Sequence, residues 1–184
     1  MVKVKIVKVS KKFAFGKLLE IIEESVSRIE PVCSIYKNCG GCNLQHIDYK
    51  AQLDFKTNRV VQVINRIGKL EEVIVHSTIG MERPYNYRNK VQLPVNNINS
   101  VVNIGFYAQR SHDIINMENC HIQDKVADVI VKLTRQWIKE FNIECYNEEN
   151  HQGNLRHIMI RKGIETGEVK IGRASCRERV FAGC

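Results

Sequence analysis

Length, composition and charge already restrict what this chain can be. It has 184 residues, of which 43% are hydrophobic and 26% are charged, and this composition excludes a disordered or fibrous protein. No stretch approaches the roughly 20 consecutive apolar residues of a membrane span. The first residues also lack the apolar segment of a secretory signal. We therefore expect a cytoplasmic protein that does not enter a membrane.

The charge balance favours a polyanionic partner. Lysine and arginine number 28 against 20 aspartate and glutamate residues, which gives a formal net charge of +8. A basic domain of this size points to nucleic acid as the leading candidate. A solvated lysine-rich surface gives the same balance, and charge alone does not separate these two interpretations.

The first 30 residues predict a small β unit. Apolar and basic side chains alternate over residues 2–10, a period of two that is typical of a strand with one basic face. Residues 16–24 fit either a second strand or the start of a helix. Thirty residues are too few for an independent β domain, so we expect the end of a barrel whose first strands are missing.

Two helices are predicted in the rest of the chain. Asp48 is a suitable N-cap for the first, and Gly68 a suitable stop. The second covers about residues 124–141. Its apolar positions form one stripe that should face the core, namely Val126, Val129, Ile130, Leu133, Trp137 and Phe141.

The predicted strands lie around the second helix. Residues 90–95 and 102–107 are expected to form a hairpin, joined by a polar turn over residues 96–100. A further strand is predicted at 155–161, and another begins near 168–171.

Three of the seven cysteines lie close together in the sequence. Cys33, Cys39 and Cys42 have the spacing C-x5-C-x2-C, with Gly40 and Gly41 between the last two. Glycines allow a short loop to wrap its backbone amides around a metal centre. This run therefore indicates a metal or redox site in a chain expected to occupy a reducing compartment.

A site of four cysteines needs one more ligand from elsewhere in the chain. Cys120 is the leading candidate and Cys145 is the competitor. Zinc ribbons usually supply two C-x2-C pairs, whereas three clustered cysteines and a remote one suit an iron–sulfur cluster better. Zinc, disulfides and simple burial of the thiols stay open as alternatives.

These cysteines lie in runs that resemble the RNA uracil-5-methyltransferase family, specifically its iron–sulfur-containing branch that methylates 23S ribosomal RNA. The most specific run is Cys39–His46. The matching runs follow the family order over about residues 2–170: Arg28–Cys33, Cys39–His46, Asn65–Gly68, Ile79–Met81, Tyr87–Lys90, Gly105–Tyr107, Ser111–His112, Cys120–Gln123, Leu155–His157 and Thr166–Glu168.

The resemblance implies an α+β fold with its parts in a fixed order. Residues 1–30 would be a partial TRAM-like RNA-binding barrel, and residues 31–46 an iron–sulfur cluster loop. Residues 47–170 would form a central α/β domain that positions RNA. A Rossmann-like methyltransferase domain would follow in the family, and it is absent from these 184 residues.

The resemblance also implies two cofactors. The four family cysteines that hold a 4Fe–4S cluster match Cys33, Cys39, Cys42 and Cys120, which favours Cys120 over Cys145. The methyl donor of the family is S-adenosyl-L-methionine, and the product is 5-methyluridine. No glycine-rich strand–turn–helix fingerprint and no family nucleophile motif occur here, so no catalytic residue and no S-adenosylmethionine-binding residue is assigned.

We accordingly expect an inactive, monomeric fragment of the enzyme that keeps the cluster and the RNA-binding parts. A self-contained, metal-bound RNA-binding module without catalytic activity is the alternative. For RNA contact the candidates are Arg88, Lys90 and Gln92, because alternate residues of a strand share a face. A solvated strand edge would explain the same three residues.

The last residues have a separate feature. Gly172–Val180 departs from the family where a strand should continue, and these nine residues look like the translation of a sequencing adapter. We therefore expect residues 171–184 to be an adapter-derived tail, with a genuine basic tail as the alternative.

Overall fold

The computed structural model describes residues 1–70 and 72–175. It is an α+β fold, as predicted from the sequence. In chain order the elements are β1 (Val2–Val9), β2 (Ala14–Ile21), α1 (Tyr49–Val63), β3 (Lys90–Ile98), β4 (Val101–Tyr107), β5 (Ile114–Asn116), α2 (Lys125–Glu140), β6 (His157–Lys162) and β7 (Val169–Ala174).

The N-terminal region is a two-stranded antiparallel hairpin of β1 and β2. This resolves the alternative for residues 16–24, because β2 runs to Ile21 as a strand. None of its side chains is buried. The register sets Lys5 opposite Lys17, so the basic character of β1 continues onto β2.

Helix α1 begins where the sequence predicts. The carboxylate of Asp48 accepts a hydrogen bond from the backbone N–H of Ala51 at 3.0 Å, which satisfies one of the free amides of the first turn. The α-helical turns end at Val63, and a π-helical turn continues through Gly68. The next residue, Lys69, adopts a left-handed conformation with φ of 52° and ends the helix one position after the predicted glycine.

Strands β3 to β7 form one antiparallel sheet with the order β5-β4-β3-β6-β7. The β3–β4 turn consists of Asn99 and Ser100, both with positive φ, as a two-residue type I′ turn requires. The predicted five-residue turn is therefore wrong. Residues 96–98 stay in the strand because Asn96 pairs with Asn103, whose amide donates to it at 3.0 Å.

The core lies between one face of this sheet and α2. Paired residues of neighbouring strands share a face, so Leu93 and Ile158 point to the same side. The core residues are Val91, Leu93, Val95, Val102, Ile104, Met117, Ala127, Ile130, Val131, Ile138, Leu155, Ile158 and Ile160. The opposite side of the sheet, called the distal face below, carries Lys90, Gln92, Met159, Arg161 and Lys170.

The predicted stripe of α2 is wrong in part. Asp124 caps the helix by accepting from the N–H of Val126 at 2.9 Å, and Ile130 is buried as expected. However, Val129, Leu133 and Phe141 are 58%, 56% and 61% exposed. The sheet instead covers the neighbouring face of the helix, so that its buried residues are Ala127, Ile130, Val131 and Ile138.

Two further expectations concern membrane-spanning helices and the last residues of the chain. Within residues 1–70 and 72–175, no helix is long and apolar enough to cross a membrane. Residues 171–174 of the predicted tail pair with β6 as the end of β7. From Cys176 onward the predicted tail lies outside the described residues.

Candidate metal centre and nucleic-acid surface

The loop that carries three of the cysteines is a series of tight turns. The N–H of Cys39 donates to the carbonyl of Ile35 at 2.9 Å, and the N–H of Tyr36 donates to the backbone carbonyl of Cys33 at 3.1 Å. The hydroxyl of Tyr36 lies 2.6 Å from Nδ1 of His46. This contact joins the start of the loop to the family-like run after it and gives His46 a structural partner.

The same loop is fixed to the end of β4. The N–H of Gly40 donates to the carbonyl oxygen of Tyr107 at 2.9 Å, and Cys39 forms a β-bridge with Ala108. A Cβ atom at residue 40 would stand 2.6 Å from that same oxygen. Glycine is therefore required here because the two backbones approach too closely for any side chain.

The fourth cysteine arrives from the segment before α2. The N–H of Cys120 donates to Oδ1 of Asp128 at 3.1 Å, and the buried side chain of Gln123 donates to the same oxygen at 2.6 Å. Asp128 lies in the first turn of α2. The helix thus sets the position of Cys120 through a carboxylate that binds both groups.

All four predicted ligands line one narrow cavity of about 20 Å³. Its remaining wall includes Phe106 of β4, together with Met117 and Ile122. Cys33, Cys39, Cys42 and Cys120 are free thiols, so the disulfide alternative is not realised among them. Cys145 lies elsewhere, in a groove beside Ile138 and Lys139.

The surroundings of the sulfur atoms combine burial with hydrogen-bond donors. Burial raises the pKa of the Cys39, Cys42 and Cys120 thiols. Opposing this, Gly41 N–H donates to Sγ of Cys39 and the Gln45 amide donates to Sγ of Cys42, each at 3.3 Å. In the described part of the chain, no three Cys, His, Asp or Glu side chains converge closely enough to hold a single metal ion.

The three predicted RNA contacts are divided between two places. Lys90 and Gln92 share the distal face of β3. Arg88 precedes the strand, and its guanidinium lies 5.8 Å from the centre of the Phe106 ring, in the wall of the cysteine cavity. Its positive charge acts to lower the pKa of the Cys39 and Cys42 thiols, against the larger effect of burial. Arg88 therefore belongs to the surroundings of the candidate metal centre.

A polar cluster that sequence reasoning did not find surrounds Glu148. Its carboxylate lies 2.9 Å from Nδ1 of His112 and 3.6 Å from the Arg156 guanidinium, and it accepts a long hydrogen bond from Tyr107. The hydrogen bond from His112 is the main reason that the pKa of Glu148 lies below its ordinary value. Thirty-six residues separate Glu148 from His112, and no local motif signals their contact.

Comparison with known proteins gives a consistent result. The chain is 56% identical, over 97% of its length, to an uncharacterized RNA methyltransferase of Clostridium acetobutylicum, of which it covers 39%. It is 47% identical, over 92% of its length, to a Staphylococcus epidermidis protein with the same description, of which it covers 38%. No family model matches the chain.

A solved structure has the same fold over nearly the whole chain. It is the Pyrococcus abyssi tRNA (uracil-54, C5)-methyltransferase in complex with S-adenosyl-L-homocysteine. The match has a TM-score of 0.64 and 26% sequence identity, and it covers 94% of this chain and 37% of that one.

Over more than nine tenths of its length, the chain is therefore similar to proteins described as RNA methyltransferases. Its fold is that of an RNA uracil methyltransferase of known structure. It spans less than two fifths of the length of the curated relatives that it matches.

Proposed function

We propose that this chain is the cluster-binding and RNA-positioning part of an S-adenosylmethionine-dependent RNA (uracil-5-)-methyltransferase. The observation that carries the proposal is the cavity shared by the four cysteines, which lie between residues 33 and 120 of the sequence. The similarity to RNA methyltransferases and to a neighbour crystallised with S-adenosyl-L-homocysteine supports the reaction class. The longer protein would make 5-methyluridine.

The cavity has the donor set of a 4Fe–4S centre. Four cysteines are the usual ligands of such a cluster, and hydrogen bonds to the sulfurs adjust its properties; here Gly41 and Gln45 supply two of them. Three clustered cysteines with a remote fourth suit such a cluster better than a zinc ribbon, which usually supplies two C-x2-C pairs. We therefore assign a cluster held by Cys33, Cys39, Cys42 and Cys120.

The role of this cluster is structural in our proposal. Three ligands lie on a loop bound to the end of β4, and the fourth lies just before α2. When bound, the cluster would cross-link the loop to the sheet-and-helix domain. Methyl transfer from S-adenosylmethionine to uracil has no step that needs an electron. The cluster would therefore serve to hold the RNA-binding surface in place.

For the substrate we propose 23S ribosomal RNA. The Cys39–His46 run with its remote Cys120 resembles the branch that acts on this RNA. The hairpin of β1 and β2 would contribute to a TRAM-like barrel, with its opposed Lys5 and Lys17 toward the phosphates. The solved neighbour is a tRNA methyltransferase, which makes tRNA the second substrate to test.

The 184-residue chain alone should not methylate RNA, because it contains no fingerprint for the methyl donor. Unmodified 23S rRNA and unmodified tRNA are each incubated with labelled S-adenosylmethionine, with this chain or with a full-length protein that contains it. We expect label in 23S rRNA with the full-length protein only. Label produced by the short chain would contradict its assigned role, and label confined to tRNA would contradict the proposed substrate.

A further inference from the structure

A groove of about 600 Å³ lies beside the polar cluster of Glu148. Its lining includes Tyr107, His112, Tyr146, Glu148 and Arg156, whereas the proposed cluster ligands line a separate cavity. Sites for small ligands usually have volumes of roughly 300–1,000 Å³, with a few polar groups that fix the orientation of the ligand. We call this feature the Glu148 groove.

The carboxylate of Glu148 has capacity for further hydrogen bonds. Its Oε2 lies 2.9 Å from Nδ1 of His112, and its Oε1 accepts one long hydrogen bond of 3.5 Å from the Tyr107 hydroxyl. Each oxygen of an ionised carboxylate has two acceptor positions, so each keeps one position for an incoming donor. The side chain is 37% exposed, and such a donor can therefore reach it.

Two stacked pairs of side chains contact this carboxylate. The rings of Tyr107 and His112 lie 5.3 Å apart with their planes 31° from parallel, and the Arg156 guanidinium lies 4.9 Å from the centre of the Tyr146 ring. The Tyr146 ring is buried, whereas the Arg156 side chain is 37% exposed. Aromatic rings and guanidinium planes are the surfaces on which proteins stack unpaired RNA bases.

Arg156 also has donors to spare. Its closest carboxylate oxygen is Oε1 of Glu148 at 3.6 Å, and its Nε has no hydrogen-bond partner among the described residues. The groove therefore places a cationic donor next to a carboxylate with free acceptor positions. A phosphate does not suit this pattern, because the carboxylate would repel it.

We infer that the Glu148 groove binds an unpaired guanine of the RNA, with the Watson–Crick edge of the base against the Glu148 carboxylate. This inference rests on the proposed function, which supplies RNA as the partner. Guanine presents two neighbouring donors on that edge, N1–H and the N2 amino group, and a carboxylate accepts two such bonds side by side. The guanine O6 lies next to N1 and would accept from Arg156.

The other bases fit the carboxylate less well. Uracil presents one donor between two carbonyl oxygens, and adenine and cytosine each present one amino donor beside a ring nitrogen that is an acceptor. In each case an acceptor of the base would face a carboxylate oxygen, and neither could form its hydrogen bond. Preference for guanine therefore comes partly from repulsion of its competitors.

The test measures the affinity of the chain for short, labelled single-stranded oligonucleotides by fluorescence anisotropy. Each is an oligouridylate whose central base is guanine, hypoxanthine, adenine or uracil. Hypoxanthine lacks the N2 amino group, so it removes one of the two donors while the protein stays the same. Glu148→Ala removes the carboxylate, and Glu140→Ala, which removes an exposed carboxylate at the end of α2, is the matched control.

A good bidentate contact with a base edge discriminates by about 5- to 150-fold. The wild-type chain and Glu140→Ala should therefore bind the guanine oligonucleotide at least about fivefold more tightly than the uracil one, with hypoxanthine between them. Glu148→Ala should bind all four oligonucleotides equally. Its affinity for the uracil oligonucleotide should be no lower than that of the wild type, because a negative charge has been removed.

Every other outcome contradicts the inference in a distinguishable way. If the wild-type chain binds all four oligonucleotides equally, the groove does not select guanine and the RNA-positioning role stands. If it binds none of them, the inference and the RNA-positioning role both fail. Equal affinity for guanine and hypoxanthine in the wild type contradicts the bidentate contact even where Glu148→Ala does not fold, and a guanine preference that survives in Glu148→Ala assigns it to another residue. If free guanosine monophosphate competes as well as the guanine oligonucleotide, the groove takes a nucleotide and the RNA assignment is wrong.

Discussion

Cys120→Ser should lower both the iron content of the protein and its free energy of unfolding. Cys120 is 78 residues beyond Cys42, its nearest partner in the cavity along the sequence. A cross-link that closes a loop of this length raises the free energy of the unfolded chain by about 4.5 kcal/mol at room temperature. Loss of the cluster should therefore remove up to about that much stability.

Cys145→Ser is the matched control. The Cys145 thiol is half-buried, as the Cys120 thiol is, and burial raises the pKa of both groups. Its sulfur lies outside the cysteine cavity, with the carbonyl oxygen of Ile143 at 3.9 Å as its acceptor. We expect this variant to keep its iron and to unfold at nearly the wild-type denaturant concentration.

The assay measures iron and acid-labile sulfide per chain after anaerobic purification, followed by denaturant unfolding of the same samples. Equal iron loss in the two variants would refute the choice of Cys120 as the fourth ligand. About one zinc per chain without sulfide would refute the cluster itself. Full iron with unchanged stability in Cys120→Ser would refute the cross-link reasoning.

Three smaller predictions concern the surrounding fold. Lys162 lowers the pKa of Asp124 below its ordinary value of 3.8. The stability that this ion pair contributes is therefore complete above pH 3.8 and is lost as the pH falls through the folded-state pKa. Asp124→Asn should lower the free energy of unfolding by about 1 kcal/mol at neutral pH and leave it unchanged in strong acid, as measured by urea unfolding. Gly40→Ala should destabilise the protein by roughly 1–3 kcal/mol and reduce its iron content, because the new Cβ meets the Tyr107 carbonyl; wild-type iron would contradict this. Arg135 donates to two backbone carbonyls beside the core. Arg135→Met should therefore lower the free energy of unfolding by about 1–3 kcal/mol, which thermal unfolding would detect as a lower midpoint. An unchanged midpoint would show that water replaces the guanidinium.

The local features of the fold could be predicted from the sequence. Asp48 and Asp124 were expected to begin helices, and both carboxylates accept the hydrogen bonds of N-caps. A cap depends on residues two or three positions away, so the sequence contains everything that decides it. The same holds for the existence of the β3–β4 hairpin, though not for the length of its turn.

Features that depend on distant contacts could not be predicted. Helix α2 has apolar residues on two adjoining faces, and only the position of the sheet decides that Val131 and Ile138 are buried while Leu133 stays exposed. The order of the sheet strands also follows from the assembled core. Nothing in the local pattern of residues 157–174 shows that β6 lies between β3 and β7.

The candidate site shows the same division. The cysteine spacing indicated a metal site, and the resemblance supplied Cys120, but the walls of the cavity required the structure. Lys90 was a candidate RNA contact from the sequence. Arg161 and Lys170 became its neighbours only through the register of β3, β6 and β7, which is a property of the whole sheet.

The separation of Cys42 from Cys120 also sets an order of events during synthesis. A ribosome adds about 5–20 residues per second, so Cys120 is made roughly 4–16 s after Cys42. During that interval the emerging chain has three thiols of the proposed centre, and the carboxylate that positions the fourth has not been made. Iron delivered in that interval would meet an incomplete ligand set, so delivery of the complete cluster belongs after Asp128 has left the ribosome and α2 has formed.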